Sequence, residues 1–124
     1  MDNNRNGCIA EYRFAVMAMQ NGFNVSFPLM DSSPYDCIVE KNGMFWKIQV
    51  KSTNKIPEKN RSAVHIVLNN AKSRYTKEVV DFFAIWVEHS NGFFIVKNTG
   101  NMQSIRLSVV GKYSKNFNNF ALIE

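Results

Sequence analysis

Cysteine and histidine are scarce in this sequence, which has only two residues of each type. Small secreted domains that depend on disulfides carry many more cysteines, so a disulfide framework is excluded and we expect Cys8 and Cys37 to be reduced, buried thiols. The two cysteines do not form a CxxC pair. His65 and His89 do not join them, or the carboxylates, in a set with metal-ligand spacing. A structural zinc site is therefore excluded as well.

Long apolar runs are also missing. The longest are strand-length segments such as Phe82–Val87, whereas a membrane-spanning helix needs about 20 apolar residues. Residues 2–6 are polar and lead directly into a helical pattern, so the N-terminal segment lacks the layout of a secretory signal. The sequence therefore predicts a cytoplasmic protein without a membrane span. Its 124 residues have room for one hydrophobic core, and we expect a single domain over residues 1–124.

Acidic residues are outnumbered by basic ones, 10 against 15, which gives a formal charge of +5 and a pI of about 9.4. This surplus makes a polyanion such as nucleic acid a plausible partner, because neutralisation of phosphates drives sequence-independent binding. The cationic residues are spread along the chain, with modest concentrations at residues 47–59 and 72–77. Such a distribution also fits an ordinary solvated surface. Charge alone leaves both interpretations open.

Hydrophobic periodicity predicts one N-terminal helix followed by several strands. Apolar residues at helical spacing indicate a helix over residues 5–21, which Gly22 would end. Asn42 and Gly43 predict a tight hairpin turn, while residues 105–110 fit either a strand or a short helix. The strand-like segments, bounded by turn residues, are residues 23–27, 35–40, 44–52, 63–68, 82–87 and 93–97. This order is typical of an α+β or α/β domain built around a mixed sheet.

The strand over residues 44–52 carries polar side chains on one face. Strand alternation separates Phe45, Lys47, Gln49 and Lys51 from Trp46, Ile48 and Val50. The hairpin folds Asp36 back beside this strand, so that its carboxylate can approach Gln49 and Lys51. A carboxylate, a second oxygen ligand and an ammonium group around one point suit phosphodiester hydrolysis, which needs a divalent ion held by oxygens and a cation near the attacking water.

These residues and their order resemble the motif of the PD-(D/E)XK nucleases. The segments Pro34-Tyr35-Asp36 and Gln49-Val50-Lys51-Ser52 match its two strand parts, and Glu11 takes the acidic position on the helix. Within that superfamily the sequence most resembles the group I intron homing endonucleases, and next the Holliday junction resolvases. The matched positions cover the first half of the chain. The resemblance implies a restriction-endonuclease-like core, in which a mixed β-sheet is flanked by helices.

Carried over residue by residue, the resemblance implies a Mg²⁺ site, with Mn²⁺ as the alternative ion. Asp36 would be the principal metal ligand. The other ligands from the protein would be Glu11, the Val50 carbonyl and the Gln49 amide oxygen. Lys51 would orient or help deprotonate the attacking water. The expected catalytic residues are thus Glu11, Asp36, Gln49 and Lys51. Gln49 departs from the common pattern, which has Asp or Glu there, so metal affinity should fall unless Glu11 compensates.

The resemblance also implies partners. DNA is the expected substrate, and a homodimer or homotetramer is expected because one site can cut only one strand. Aromatic residues of the C-terminal half fit either a subunit interface or the core: Phe93, Phe94, Tyr113, Phe117 and Phe120. Polar and basic residues on and after the catalytic strand are expected to contact the nucleic acid: Lys47, Ser52, Thr53, Lys55, Lys59 and Arg61.

Each candidate site residue also has an ordinary structural interpretation. Glu11 could be a solvated helix residue or a partner of Arg13 or Lys51. Asp36 could cap a turn, and Lys51 could protect an edge strand from aggregation. Asp81, which precedes a buried strand, is expected to cap local backbone. For the whole protein, the alternatives are a catalytically weak or inactive nucleic-acid-binding protein on the same fold and a protein–protein adaptor.

Overall fold

The computed structural model of the protein describes residues 3–69 and 74–124, which form one α-helix and two β-sheets. Their bounds are α1 Asn3–Gln20, β1 Asn24–Ser26, β2 Cys37–Lys41, β3 Met44–Thr53, β4 Val64–Val67, β5 Phe82–Val87, β6 Gly92–Lys97 and β7 Ser104–Leu107. Three short 3₁₀ helices are Glu88–Ser90, Ser114–Asn116 and Phe120–Leu122. The basic concentration predicted at residues 72–77 lies partly outside the described residues. Within them, no helix is long and apolar enough to cross a membrane.

Helix α1 forms where the sequence predicts it. Ala10, Phe14 and Ala18 recur at every fourth position and are almost fully buried, which gives the helix one apolar face. Phe14 stacks on Phe120, with ring centres 5.5 Å apart, and so joins the helix to the C-terminal segment. The chain leaves the helix through Gly22, whose φ of 89° is the left-handed conformation that glycine adopts without strain.

The larger sheet is mixed, with the strand order β1-β2-β3-β5-β6. β3 pairs antiparallel with β2 and parallel with β5, and β6 closes the sheet antiparallel to β5. The turn between β2 and β3 contains Asn42 at φ 54° and Gly43 at φ 78°, the positive angles that a type I′ hairpin requires. The mixed α+β architecture predicted from the sequence is therefore confirmed.

The two faces of this sheet are covered by different layers. Helix α1 and the C-terminal segment cover the face that includes Ile48 and Val50. The antiparallel pair of β4 and β7 covers the other face, where Ile66 and Ile105 lie opposite each other. The ambiguous residues 105–110 thus include the end of a strand. β5 is buried at every position, as expected for a strand covered on both faces.

The C-terminal aromatics belong to the core. Phe93, Phe94 and Phe120 are buried, and Tyr113 and Phe117 pack against the cluster beneath β4 and β7. Of the two interpretations left open for these residues, packing in the core therefore holds.

Only one of the two thiols is buried. Cys37 lies in the core, but Cys8 is exposed, and both are free. The expectation of a buried thiol is therefore wrong for Cys8. Cys8 lies two positions before the core-facing Ala10, which places it about 200° around the helix, on the solvent side.

Candidate active site

Strand β3 presents Gln49 and Lys51 on the face opposite α1. Ile48 and Val50 are buried in the core beneath the helix, so the intervening side chains project from the other face of the sheet. Gln49 and Lys51 are both half-buried there. The alternation predicted for this strand is confirmed, and it places an amide and an ammonium group side by side in the middle of the main sheet.

Asp36 lies just before β2 and is held against β3 by two hydrogen bonds. Its backbone N–H donates to the Ile48 carbonyl at 2.9 Å, and its Oδ2 accepts from the Val50 N–H at 2.7 Å. The second bond fixes the direction of the carboxylate. In a strand, the N–H and C=O of one residue point to the same side. The Val50 carbonyl is therefore directed toward Asp36 as well.

Glu11 and Lys51 both interact electrostatically with Asp36. Burial raises the pKa of Glu11, and the charges of Asp36 and Asp31 raise it further. Burial also raises the pKa of Asp36, against the opposing effects of the Val50 N–H and the Lys51 ammonium. The pKa of Lys51 is lowered by burial, which Asp36 partly offsets. Glu11 from α1 and Lys51 from β3 thus both lie within the electrostatic range of Asp36, which precedes β2.

Asp36 and Lys51 interact without closing into a direct ion pair. Among the residues that the structure describes, they do not come within the 4.0 Å that defines such a pair, whereas Arg13 and Glu88 do, at 3.6 Å. The Lys51 ammonium lies 5.0 Å from the centre of the Tyr75 ring, a favourable contact for a cation. Burial and an aromatic ring therefore position Lys51, and Asp36 does not occupy its donors.

The chemistry of the donor set fits a divalent cation that has few protein ligands. Glu11 and Asp36 are partly buried carboxylates that repel each other, and an ion bound by both would relieve that repulsion. Over residues 3–69 and 74–124, no three His, Cys, Asp or Glu side chains lie close enough to hold a metal. Neutral oxygens of Gln49, Val50 and water would therefore have to complete the coordination, as Mg²⁺ sites often allow.

Three of the expected DNA-contacting residues line a cleft at the end of β3. Ser52 and Thr53 at the end of β3, and Lys55 just after it, form one wall of a cleft of about 530 Å³. The opposite wall comes from α1: Asn6, Ile9 and Arg13. The cleft therefore joins the end of the candidate catalytic strand to the helix that carries Glu11.

The other residues expected to contact DNA do not line this cleft. The Lys47 ammonium donates to the backbone carbonyl of Glu78, so this lysine is engaged within the fold, although it shares a face of β3 with Gln49. Lys59 and Arg61 are exposed in the loop between β3 and β4. The structure therefore does not bring Lys47, Lys59 and Arg61 into the electrostatic cluster of Asp36.

Arg13 is paired with residues of β5 and the turn that follows it. Its guanidinium lies 4.4 Å above the centre of the Trp86 ring and forms the ion pair with Glu88. The indole Nε1 of Trp86 donates to Glu88 Oε2 at 2.5 Å. Arg13 is thus the partner of Glu88, and the alternative in which it neutralises Glu11 is wrong.

Asp81 binds β3 from the side opposite Asp36. Its Oδ2 accepts from the Lys47 N–H at 2.7 Å, and its own N–H donates to the Lys47 carbonyl at 2.9 Å. This carboxylate binds the backbone of β3 and not the backbone around Asp81, so the prediction that Asp81 caps local backbone is wrong. Each aspartate precedes a strand that flanks β3, but Asp36 alone of the two was placed by the structure in the cluster with Glu11 and Lys51.

Two residues near the site were missed by sequence reasoning. Asp31 raises the pKa of Glu11, and the Tyr75 ring lies beside the Lys51 ammonium. Asp31 belongs to a turn and Tyr75 to a polar connection, where neither residue is part of a periodic pattern. Their proximity to the site arises from tertiary folding, so no local signal could have identified them.

Glu11→Gln should stabilise the metal-free protein at neutral pH. Because the folded-state pKa of Glu11 is raised, ionisation of this carboxyl destabilises the folded chain relative to the unfolded one. That penalty is fully present above the folded-state pKa and disappears as the pH falls below the unfolded value of about 4.3. Thermal unfolding in EDTA should give the variant a higher Tm at pH 7 and an unchanged Tm at acidic pH. The exposed Glu58→Gln is the control; a lower Tm for Glu11→Gln at pH 7 would contradict the burial and repulsion described here.

Comparisons with known proteins bear on the family and the fold of this chain. A family model described as PD-(D/E)XK endonuclease matches residues 1–123. The structure is similar to the bacterial homing endonuclease I-Ssp6803I, with a TM-score of 0.79 and 21% identity over 98% of this chain and 91% of that chain. It is also similar to Hjc, a Holliday junction resolvase from the archaeal hyperthermophile Archaeoglobus fulgidus, with a TM-score of 0.53 and 12% identity over 83% and 84% of the two chains. No curated protein sequence matches significantly.

The two structural similarities confirm the restriction-endonuclease-like fold. The family match covers nearly every residue of the sequence, and the chain therefore belongs to the PD-(D/E)XK endonuclease family.

Proposed function

We propose that this protein is a divalent-metal-dependent DNA endonuclease whose catalytic residues are Glu11, Asp36, Gln49 and Lys51. The observation that carries the proposal is the electrostatic cluster of Glu11, Asp36 and Lys51 around β3. Family membership supports a nuclease, and the two structural neighbours are named as a homing endonuclease and a Holliday junction resolvase.

Each of these residues has a separate role in hydrolysis, which follows from the chemistry of its functional group. Asp36, oriented by the Val50 N–H, is the principal ligand of Mg²⁺ or Mn²⁺. The Val50 carbonyl and the Gln49 amide oxygen are neutral ligands, and Glu11 contributes directly or through water. Held by these residues, a divalent ion would supply positive charge near the scissile phosphate and the attacking water. Lys51 orients the attacking water or accepts its proton.

The neutral side chain at position 49 favours the role of Lys51 in proton transfer. Gln49 lies two residues before Lys51 on the same face of β3, so a carboxylate there would attract the ammonium and raise its pKa. With an amide at this position, burial keeps the pKa of Lys51 lowered. A lysine that loses its proton more readily is the better base near neutral pH. Gln49 thus weakens the attraction for metal and leaves the lowered pKa of Lys51 unopposed by a carboxylate at position 49.

Substrate binding is assigned to the end of the catalytic strand and the basic segment after it. Ser52, Thr53 and Lys55 line the cleft at this end of β3, where hydroxyl and ammonium groups suit phosphate oxygens. Lys59 and Arg61 extend this surface along the exposed loop, and the chain's charge of +5 favours approach to DNA. A homodimer or homotetramer would provide the second site that cutting both strands needs. A cytoplasmic, single-domain protein agrees with this function.

Gln49 also favours a second candidate, an inactive nucleic-acid-binding protein on the same fold. Only two carboxylates would face the ion, and the missing negative charge lowers metal affinity. In that case DNA binding would persist without any Mg²⁺-dependent cutting. Incubation of the protein with supercoiled plasmid, linear duplex and a four-way junction, with and without Mg²⁺, separates the two functions.

Lys51→Ala should abolish cleavage while DNA affinity stays within a few-fold. The Lys51 side chain acts on the attacking water, so its loss removes stabilisation of the transition state more than binding of the ground state. Plasmid nicking in Mg²⁺ should fall by about 10²-fold or more, the range typical of a lost acid or base. Lys97→Ala, which removes an exposed lysine from β6, is the control and should cut normally. Wild-type rates for Lys51→Ala would remove this residue from the mechanism.

Substitutions at Gln49 should separate metal binding from proton transfer. Gln49→Glu adds a carboxylate ligand, so Mg²⁺ should bind more tightly. The same charge should raise the pKa of Lys51 and shift the pH–rate profile toward higher pH. Gln49→Ala deletes a ligand and should slow cleavage by about 10- to 1000-fold. Single-turnover rates over a range of pH and Mg²⁺ concentration measure both effects, and identical profiles for all three proteins would place position 49 outside the metal site.

A further inference from the structure

The ring of Tyr75 lies on the face of the main sheet that carries Gln49 and Lys51. The Lys51 nitrogen is 5.0 Å from the centre of this ring. The ring also packs edge-on against Phe83 of β5, with ring centres 5.8 Å apart. Phe83 is paired with Gln49 where β3 runs parallel to β5, so both side chains project from the same face. Tyr75 therefore forms a wall of the candidate site, although it is distant from β3 in the sequence.

The backbone of Tyr75 is held on both sides by the amide side chains of two asparagines. Its N–H donates to Asn69 Oδ1 at 2.6 Å, and its carbonyl accepts from Asn98 Nδ2 at 2.8 Å. Asn98 is only 3% exposed, and its Nδ2 also donates to the carbonyls of Thr76 and Val80. A buried polar network that is satisfied in this way is rigid. The ring is therefore positioned by the fold, independently of its contact with Lys51.

An aromatic face suits a lysine that must be held in place and still act. The lysine side chain is long and flexible, so fixing its nitrogen at one point costs conformational entropy. A carboxylate could hold the nitrogen, but it would bond the N–H donors. In the part of the chain that the structure describes, no carboxylate lies within the 4.0 Å of an ion pair with Lys51. The π electrons of a ring attract a cation without supplying such an acceptor.

We propose that Tyr75 is a positioning residue, whose ring face holds the Lys51 nitrogen at the candidate site and leaves N–H donors for water or a phosphate oxygen. The aromatic face is the part that acts, and the Tyr75 hydroxyl is not needed. The effect on cleavage rests on the proposed endonuclease function, in which Lys51 acts on the attacking water. A nitrogen held in one geometry reacts faster than one that samples many.

Three substitutions at Tyr75 separate the ring from its bulk. Tyr75→Phe keeps the aromatic face, whereas Tyr75→Leu and Tyr75→Met keep an apolar side chain without it. Single-turnover cleavage of plasmid in Mg²⁺ should stay within about twofold of wild type for Tyr75→Phe and fall at least about tenfold for both ring-free variants. The DNA dissociation constant should change by less than about twofold in all three, because the loss affects the transition state more than binding.

Tyr113→Leu is the matched control. The Lys112 nitrogen lies 5.5 Å from the centre of the Tyr113 ring, and Tyr113 packs against the same hydrophobic cluster as Tyr75. The control therefore removes a similar cation–ring contact and similar packing at another place. Thermal unfolding should show a comparable fall in Tm for Tyr113→Leu and Tyr75→Leu, while Tyr113→Leu cuts at the wild-type rate. Equal slowing of both variants would show that lost packing slows cleavage, which overturns the positioning role.

Proton NMR reads the position of Lys51 without any cleavage. Protons above the face of an aromatic ring resonate upfield, and the Lys51 signals are identified by their absence from the spectrum of Lys51→Ala. Tyr75→Phe should keep the upfield shift of the Lys51 methylene protons, and Tyr75→Leu should lose it. Lys51 signals that are the same in wild type and Tyr75→Leu would overturn the proposal.

The two measurements separate failure of the positioning role from failure of the proposed function. A wild type that cuts, together with ring-free variants that cut equally fast, contradicts the role of Tyr75 and leaves the endonuclease standing. Slowing of Tyr75→Phe to the rate of Tyr75→Leu also overturns the role, because the ring face would then not be enough. A wild type that never cuts, but whose Lys51 signals follow the ring, contradicts the endonuclease and leaves the positioning of Lys51 standing.

Discussion

The hydrogen bond from the Val50 N–H to the Asp36 carboxylate connects the fold to the candidate site. At 2.7 Å, it ties the segment before β2 to the central strand at a point where β2 has not yet begun. The same bond fixes the direction of the carboxylate and opposes, but does not cancel, the rise in the pKa of Asp36 that burial causes. The position of Asp36 matters for both Glu11 and Lys51, because its charge raises the pKa of each.

The charged groups at the site lower the stability of the folded protein, although they suit a functional site. Two carboxylates that repel each other and a lysine that is partly desolvated all destabilise the folded chain in their ionised forms. Arrangements of this kind are found where a protein prepares a site for a ligand or a reaction. Gln49 moderates the repulsion, because a third carboxylate would add to it. Gln49, the residue that makes the motif unusual, therefore also reduces the electrostatic destabilisation of the folded protein when no metal is bound.

Local patterns in the sequence predict what lies within one element or one turn. Alternation along β3 and the Asn42-Gly43 turn place Asp36, Gln49 and Lys51 correctly, because the spacing of a hairpin is set by its turn. Contacts between segments that are far apart in the sequence have no local sequence pattern that predicts them. The pairing of β4 with β7 and the approach of Tyr75 to Lys51 are decided by packing across long separations in the chain. The catalytic roles themselves stay predictions that the resemblance implies.

Calorimetric titration of Mn²⁺ into three proteins tests the central claim, that Asp36 holds a metal. Asp36→Asn keeps an oxygen to accept from the Val50 N–H but loses the charge, so the ion should bind wild type and bind this variant at least about tenfold more weakly. Asp81→Asn is the control, because Asp81 makes the equivalent hydrogen bond to β3 from the other side. It should bind Mn²⁺ like wild type. Equal affinities for all three proteins, or no binding by wild type, would contradict the account.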